Sequence, residues 1–97
     1  MARVALLTSD LLFGSKVEGA LRAAGHEVVL GGEGEVAVVD LTEGEVPDKP
    51  GVPTVAYYLH TDQDTRERAE AAGYDLVVPR SRMNREGPQL VERLLAA

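Results

Sequence analysis

The residues of this chain best suited to chemistry sit where its apolar runs stop. Residues 3–7 lead into Thr8, Ser9 and Asp10, and residues 36–39 lead into Asp40. Residues 54–59 are followed by His60 and Thr61, and residues 76–78, after Pro79, by Arg80 and Ser81. Each run has the length and the Val/Leu/Ala content of a strand covered on both faces. In a parallel sheet the carboxyl ends of such strands share one edge, where open α/β proteins bind their ligands. Asp10, Asp40, His60 and Arg80 would then stand together on that edge.

Carboxylates and imidazole are ligands for divalent ions, so Asp10 and Asp40 are a candidate metal pair, with Mg²⁺ the ion in question. A carboxylate ending a strand can also attack an activated phosphoryl group, provided a metal and a cation neutralise the developing charge. Asp40 is the candidate phospho-acceptor. Both acids have plainer roles open to them: Asp10, with Ser9, can cap the helix that follows, and Asp40 can bond the amides of its own turn. Arg80, Arg82 and Arg85, with Ser81 and Asn84, form the basic cluster of an acidic chain. Together with His60 and Thr61 they make a candidate edge for an anion or a protein partner, because a guanidinium fork suits phosphate and carboxylate. The alternative is pairing with the chain's own acids. His60 has no Ser, Cys or carboxylate partner in view, so packing at a helix start suits it as well as proton transfer does. His26, just past a helix stop, reads as a surface residue complementing the helix end. Gly31, Gly32 and Gly34 spell neither a dinucleotide fingerprint nor a phosphate loop.

The elements that must position these groups fit one domain of 97 residues. A net charge of −6 argues against nucleic acid as a partner, and no run approaches the length of a membrane span. The absence of cysteine excludes disulfides and thiolate chemistry. The chain starts directly on a strand pattern with no signal peptide, so a cytoplasmic location is expected. Eight arginines against two lysines hint at a thermophilic source.

Strands are expected at residues 3–8, 27–30, 36–40, 54–59 and 76–78. A first helix is expected at 11–24, with Phe13, Val17, Ala20, Leu21 and Ala24 on one stripe and Gly25 as its stop. A second runs to Ala72, capped from Thr61, Asp62 and Asp64, with a slim buried face of Thr65, Ala69 and Ala72. Pro88 suits the first turn of a last helix carrying Leu90, Val91, Leu94 and Leu95. Residues 42–52, with two prolines and two glycines, form a loop. Alternating strands and helices predict a three-layer α/β fold with a five-stranded parallel sheet and about three helices.

The strand–helix order, the segment RAAGHEV at residues 22–28 and the segment AAGYDLVVPR at residues 71–80 resemble the receiver domain of bacterial response regulators. The resemblance spans nearly the whole chain and implies a flavodoxin-like, receiver-like fold with the strand order 2-1-3-4-5. It implies an acidic pair after strand one, an acceptor Asp ending strand three, a Ser or Thr ending strand four and a Lys ending strand five. Asp10 matches one member of the pair and Asp40 the acceptor, while Thr61 is the one hydroxyl available for strand four, displaced by a residue or two. Ser9 replaces the other acid, which weakens the Mg²⁺ site, and Arg80 stands in the lysine position. The helices expected between strands two and three, and three and four, are missing. Residues 31–35 reach at most about 18 Å, so strand two must be very short or the local topology must differ.

With those helices gone, one sheet face is left to a single slim helix, and an apolar patch there would need a protein partner, most simply a second copy in a homodimer. The function this predicts is an atypical receiver-like regulatory or protein-interaction domain with neither phosphorylation chemistry nor enzymatic activity. A true phospho-acceptor at Asp40 is the first alternative. A small protein or enzyme taking an anionic metabolite at the sheet edge is the second.

Overall fold

The computed structural model describes residues 2–96. Five parallel strands, β1 (Arg3–Leu7), β2 (Glu27–Leu30), β3 (Val36–Asp40), β4 (Thr54–Tyr58) and β5 (Leu76–Pro79), form one sheet in the order β2-β1-β3-β4-β5. Helices α1 (Leu11–Ala23) and α3 (Arg80–Ala96) cover one face, and α2 (Gln63–Ala71) packs on the other. This is the expected three-layer order. None of the helices is long and apolar enough to cross a membrane.

Strand alternation sorts the core into two halves. Val4, Leu6, Val36, Val38, Val55 and Tyr57 point at α1 and α3, where Phe13, Val17, Leu21 and Met83 meet them. The α1 stripe is narrower than expected, since Ala24 is exposed as the C-cap. Asp10 is the N-cap of α1, its Oδ1 accepting from the Phe13 amide at 3.1 Å. His26 is buried, against expectation. Its Nδ1 accepts from the Ala2 amide at 3.3 Å, and Nε2 lies 3.7 Å from Glu92 Oε2, so it ties β1 to the far end of α3.

The connection from β2 to β3 is the tightest part of the fold. Strand β2 has four residues, and residues 31–35 run straight back across β1 to start β3. Gly31 turns the chain at φ 67°, a conformation that only glycine adopts freely. The same strap corrects the expectation of an under-covered sheet face. Ala5, Ala37, Val39, Ala56 and Tyr58 are all buried within the one chain. Leu41 and Val46, from the loop after β3, pack with Tyr58, Ala69 and Tyr74. The glycine strap, whose Gly34 lies against the β1 backbone at Arg3 and Ala5, and residues 50–52 wall a recess around the small, buried side chains of Ala5 and Ala37. Tyr74 pins this loop by donating to the Pro47 carbonyl at 2.8 Å.

Helix α2 has Asp62 as its N-cap. The Thr65 hydroxyl and amide donate to that carboxylate at 2.6 and 3.1 Å, and Arg68 adds its charge, which holds its pKa below the ordinary 3.8. A depressed folded pKa contributes stability above the unfolded value, lost as pH falls through the folded one. Asp62→Ala should therefore lower stability at neutral pH and flatten the acid side of the unfolding curve below about pH 4. Chemical denaturation at a series of pH values reads this, and parallel curves for the two proteins would refute it.

Helix α3 differs most from expectation. It begins at Arg80, immediately after β5, and breaks at Glu86 (φ −127°, ψ 15°) just before Gly87 and Pro88. Pro88 thus starts only the second half, since its ring carries no N–H for the helical bond to residue 84 and crowds that residue's carbonyl. The cluster from Arg80 to Arg85 is helical, not a loop between β5 and the helix.

Candidate functional site

Asp40 is the last residue of β3 and reaches the carboxyl edge of the sheet. Both of its oxygens are occupied by donors from the chain itself. Thr8, at the end of β1, donates its hydroxyl to Oδ2 at 2.5 Å. Thr42 donates its amide at 2.7 Å and its hydroxyl at 2.6 Å to Oδ1. The Asp-x-Thr turn is thus closed by its own side chains, the plainer of the two roles read for Asp40. The Thr8 oxygen also accepts from the Asp10 amide at 3.0 Å, so one hydroxyl joins the acceptor position to the start of α1.

Tyr57 lies opposite Asp40 in the β3–β4 register and is fully buried, its ring 5.1 Å from that of Phe13. Its hydroxyl makes no hydrogen bond, though Thr8 and Asp40 are near enough to act on it. Burial pushes this phenol far above its usual range, and the negative charges of Asp40 and Asp10 push the same way. The phenol stays neutral at any physiological pH.

This donor set does not fit Mg²⁺. The ion wants near-octahedral hard oxygens and gives up water reluctantly. Asp10 is turned to its helix cap, both Asp40 oxygens are engaged, and the Ser9 hydroxyl donates to Glu43 at 3.0 Å. Among the described residues no group of three His, Asp or Glu side chains converges.

The edge residues divide. His60, Arg80 and Ser81 come together, joined by Lys16 of α1 and Asn84 of α3, around a recess of about 290 Å³ walled by Phe13 and Leu59. The Arg80 guanidinium lies over the Phe13 ring, 4.6 Å from its centre, and makes no ion pair with Asp40. Thr61 is exposed in the turn before α2 and is not among Asp40's donors. Arg82 pairs with Glu86 at 3.5 Å and so follows the intramolecular alternative, whereas Arg85 meets no acid and reaches only the Ser81 carbonyl of its own helix, at 3.5 Å. The sequence reading missed Tyr57 and Thr42 at Asp40, and Lys16 at the recess. Thr42 was signalled by its place two residues after a strand-ending Asp, and Lys16 by standing three residues beyond Phe13 on one helix.

No family model matches the chain, and no curated protein matches it. Solved structures do. The receiver domain of the Francisella response regulator 1452 superposes with a TM-score of 0.77 at 12% identity, over 99% of this chain and 98% of that one. A response-regulator receiver protein from Burkholderia phymatum gives 0.78 at 17% identity, over 99% and 96%. The BeF₃-activated DrrB receiver domain gives 0.77 at 19% identity, over 100% and 99%. Sheet order, helix placement and these superpositions agree that the chain has the fold of the response-regulator receiver domain.

Proposed function

We propose that this is an atypical receiver-like regulatory domain that acts by contacting another protein and does not phosphorylate Asp40. The observation that carries this reading is the engaged carboxylate: both Asp40 oxygens accept from the chain itself, one hydrogen bond from Thr8 and two from Thr42. A phosphoryl acceptor needs a free oxygen for in-line attack, a metal, and a cation on the transferred group. Here Ser9 stands in place of the second acid, and Arg80 is stacked on Phe13 rather than aimed at Asp40.

A protein-binding role is supported by the apolar surface that remains. Leu11 and Leu12, on the first turn of α1, are 78% and 84% exposed, and Leu30, ending the edge strand β2, is 62% exposed. Leu11 and Leu30 rim a largely apolar recess of about 520 Å³. Exposed leucines grouped in this way mark interaction surfaces. Self-association, expected at the sheet face, moves in this reading to these leucines, because the chain covers the face itself.

The test is an amide NMR titration with Mg²⁺ and then beryllofluoride, the group carried by the activated DrrB receiver. A flat response at Thr8, Asp40 and Thr42 is expected. Saturable shifts there that vanish in Asp40→Ala would reinstate the phospho-acceptor.

A further inference from the structure

We infer that the recess between α1, the β4–α2 turn and the first turn of α3 is an anion site, in which Lys16, His60, Arg80, Ser81 and Asn84 take a small phosphate-bearing ligand. The inference goes beyond the reading of Asp40 and does not depend on it, since neither Thr8, Asp10 nor Asp40 lines this recess.

The charge pattern is the first argument. In a chain of net charge −6, Arg3, Arg22, Arg66, Arg68, Arg82 and Lys49 each pair with a carboxylate. Lys16, Arg80, Arg85 and Arg93 pair with none among the described residues, and of these four Lys16 and Arg80 line one recess, which no acid lines. Two cations that line one recess without an acid between them attract an anion into it.

Preorganisation is the second. The Arg80 guanidinium carbon lies 4.6 Å from the centre of the Phe13 ring, and Phe13 is buried against Tyr57, so an immobile aromatic face attracts the fork to this side of the recess. Among the described residues none of its N–H groups has an acceptor. A planar fork recognises phosphate oxygens in pairs, and a lysine beside it adds a point charge. Residues 80, 81 and 84 lie along one side of the first turns of α3, which places the Ser81 hydroxyl and the Asn84 carboxamide beside the fork. The chemistry assembled is that of a dianion receptor, with Phe13 and Leu59 as an apolar wall for a short organic body. A volume of about 290 Å³ sets a small ligand: inorganic phosphate or a compact phosphomonoester.

The probe is inorganic phosphate, titrated into the full chain and followed by amide NMR, with sodium chloride at matched ionic strength as reference. Wild type and Asp40→Ala should both give saturable shifts confined to residues around Lys16, His60, Arg80, Ser81 and Asn84. Arg80→Gln and Lys16→Gln, both at exposed positions and so expected to keep the native spectrum, should each weaken binding roughly tenfold. Shifts that rise linearly without saturation, match those from chloride, or persist unchanged in both glutamine variants would overturn the site. Because phosphate binding is read in the Asp40→Ala background as well, its failure is distinguishable from failure of the beryllofluoride experiment.

Discussion

Gly34→Ala should destabilise the fold by about 2–3 kcal/mol and lower the melting temperature by roughly 10–20 °C. A Cβ at this position would lie 2.5 Å from the Arg3 carbonyl oxygen and 2.8 Å from the Ala5 amide nitrogen, both backbone atoms of β1. Neither has a rotamer to change, so the strap itself must lift. Lifting it breaks the neighbouring bond from the Glu35 amide to the Arg3 carbonyl, at 2.8 Å, and strains the Val4–Val36 register that follows. It also opens the recess around Ala5 and Ala37 that the strap walls. Gly51→Ala is the control: its Cβ would meet nothing within 4 Å, and its φ is ordinary, so a neutral or slightly stabilising effect is expected. Thermal denaturation of the two variants reads both, and a Gly34→Ala protein melting with wild type would show that the strap does not lie on the β1 backbone.

Tyr57 should give opposite results to two substitutions. Tyr57→Ala removes a fully buried ring from between the sheet and Phe13, at a cost of about 3–5 kcal/mol, enough to unfold much of a marginal domain of this size. Tyr57→Phe keeps the ring and deletes a buried hydroxyl that has no hydrogen-bond partner. Removing an unsatisfied polar group relieves its desolvation cost, so this variant should equal wild type or exceed it by about 1 kcal/mol. Urea unfolding of both proteins measures the pair. A clear loss of stability in Tyr57→Phe would mean that the phenol makes a real bond to Thr8 or Asp40, and the description of the site would change accordingly.

The strands were legible because each β run was short, apolar and closed by a polar residue; their order followed from the resemblance to receiver domains, which the five residues after β2 could satisfy only if β2 was short. Its four residues meet that condition. The cover of the second sheet face was not legible, for a physical reason. Pattern reading looks for large apolar side chains, whereas here a glycine strap walls the recess around Ala5 and Ala37, and two loop residues, Leu41 and Val46, do the rest. The start of α3 was hidden by Pro88 and by a first segment whose one buried apolar side chain is Met83. At the site, Asp10 and Asp40 were visible from their places at strand ends, and the helix-capping and turn-closing roles weighed for them are the ones their hydrogen bonds fill. Tyr57 escaped notice because alternation assigns its ring to the core without revealing that its hydroxyl ends beside Asp40. Thr61 was chosen as the nearest hydroxyl in sequence, but the turn carries it to solvent.

The account turns on Asp40 being a carboxylate closed by hydroxyls rather than an acceptor. Its most direct test is to incubate the protein with acetyl phosphate and Mg²⁺ and weigh the intact chain by mass spectrometry. No phosphoryl group should be gained, in wild type or in Asp40→Asn. A gain of one phosphoryl group in wild type that disappears in Asp40→Asn would contradict the account and make this chain a working receiver.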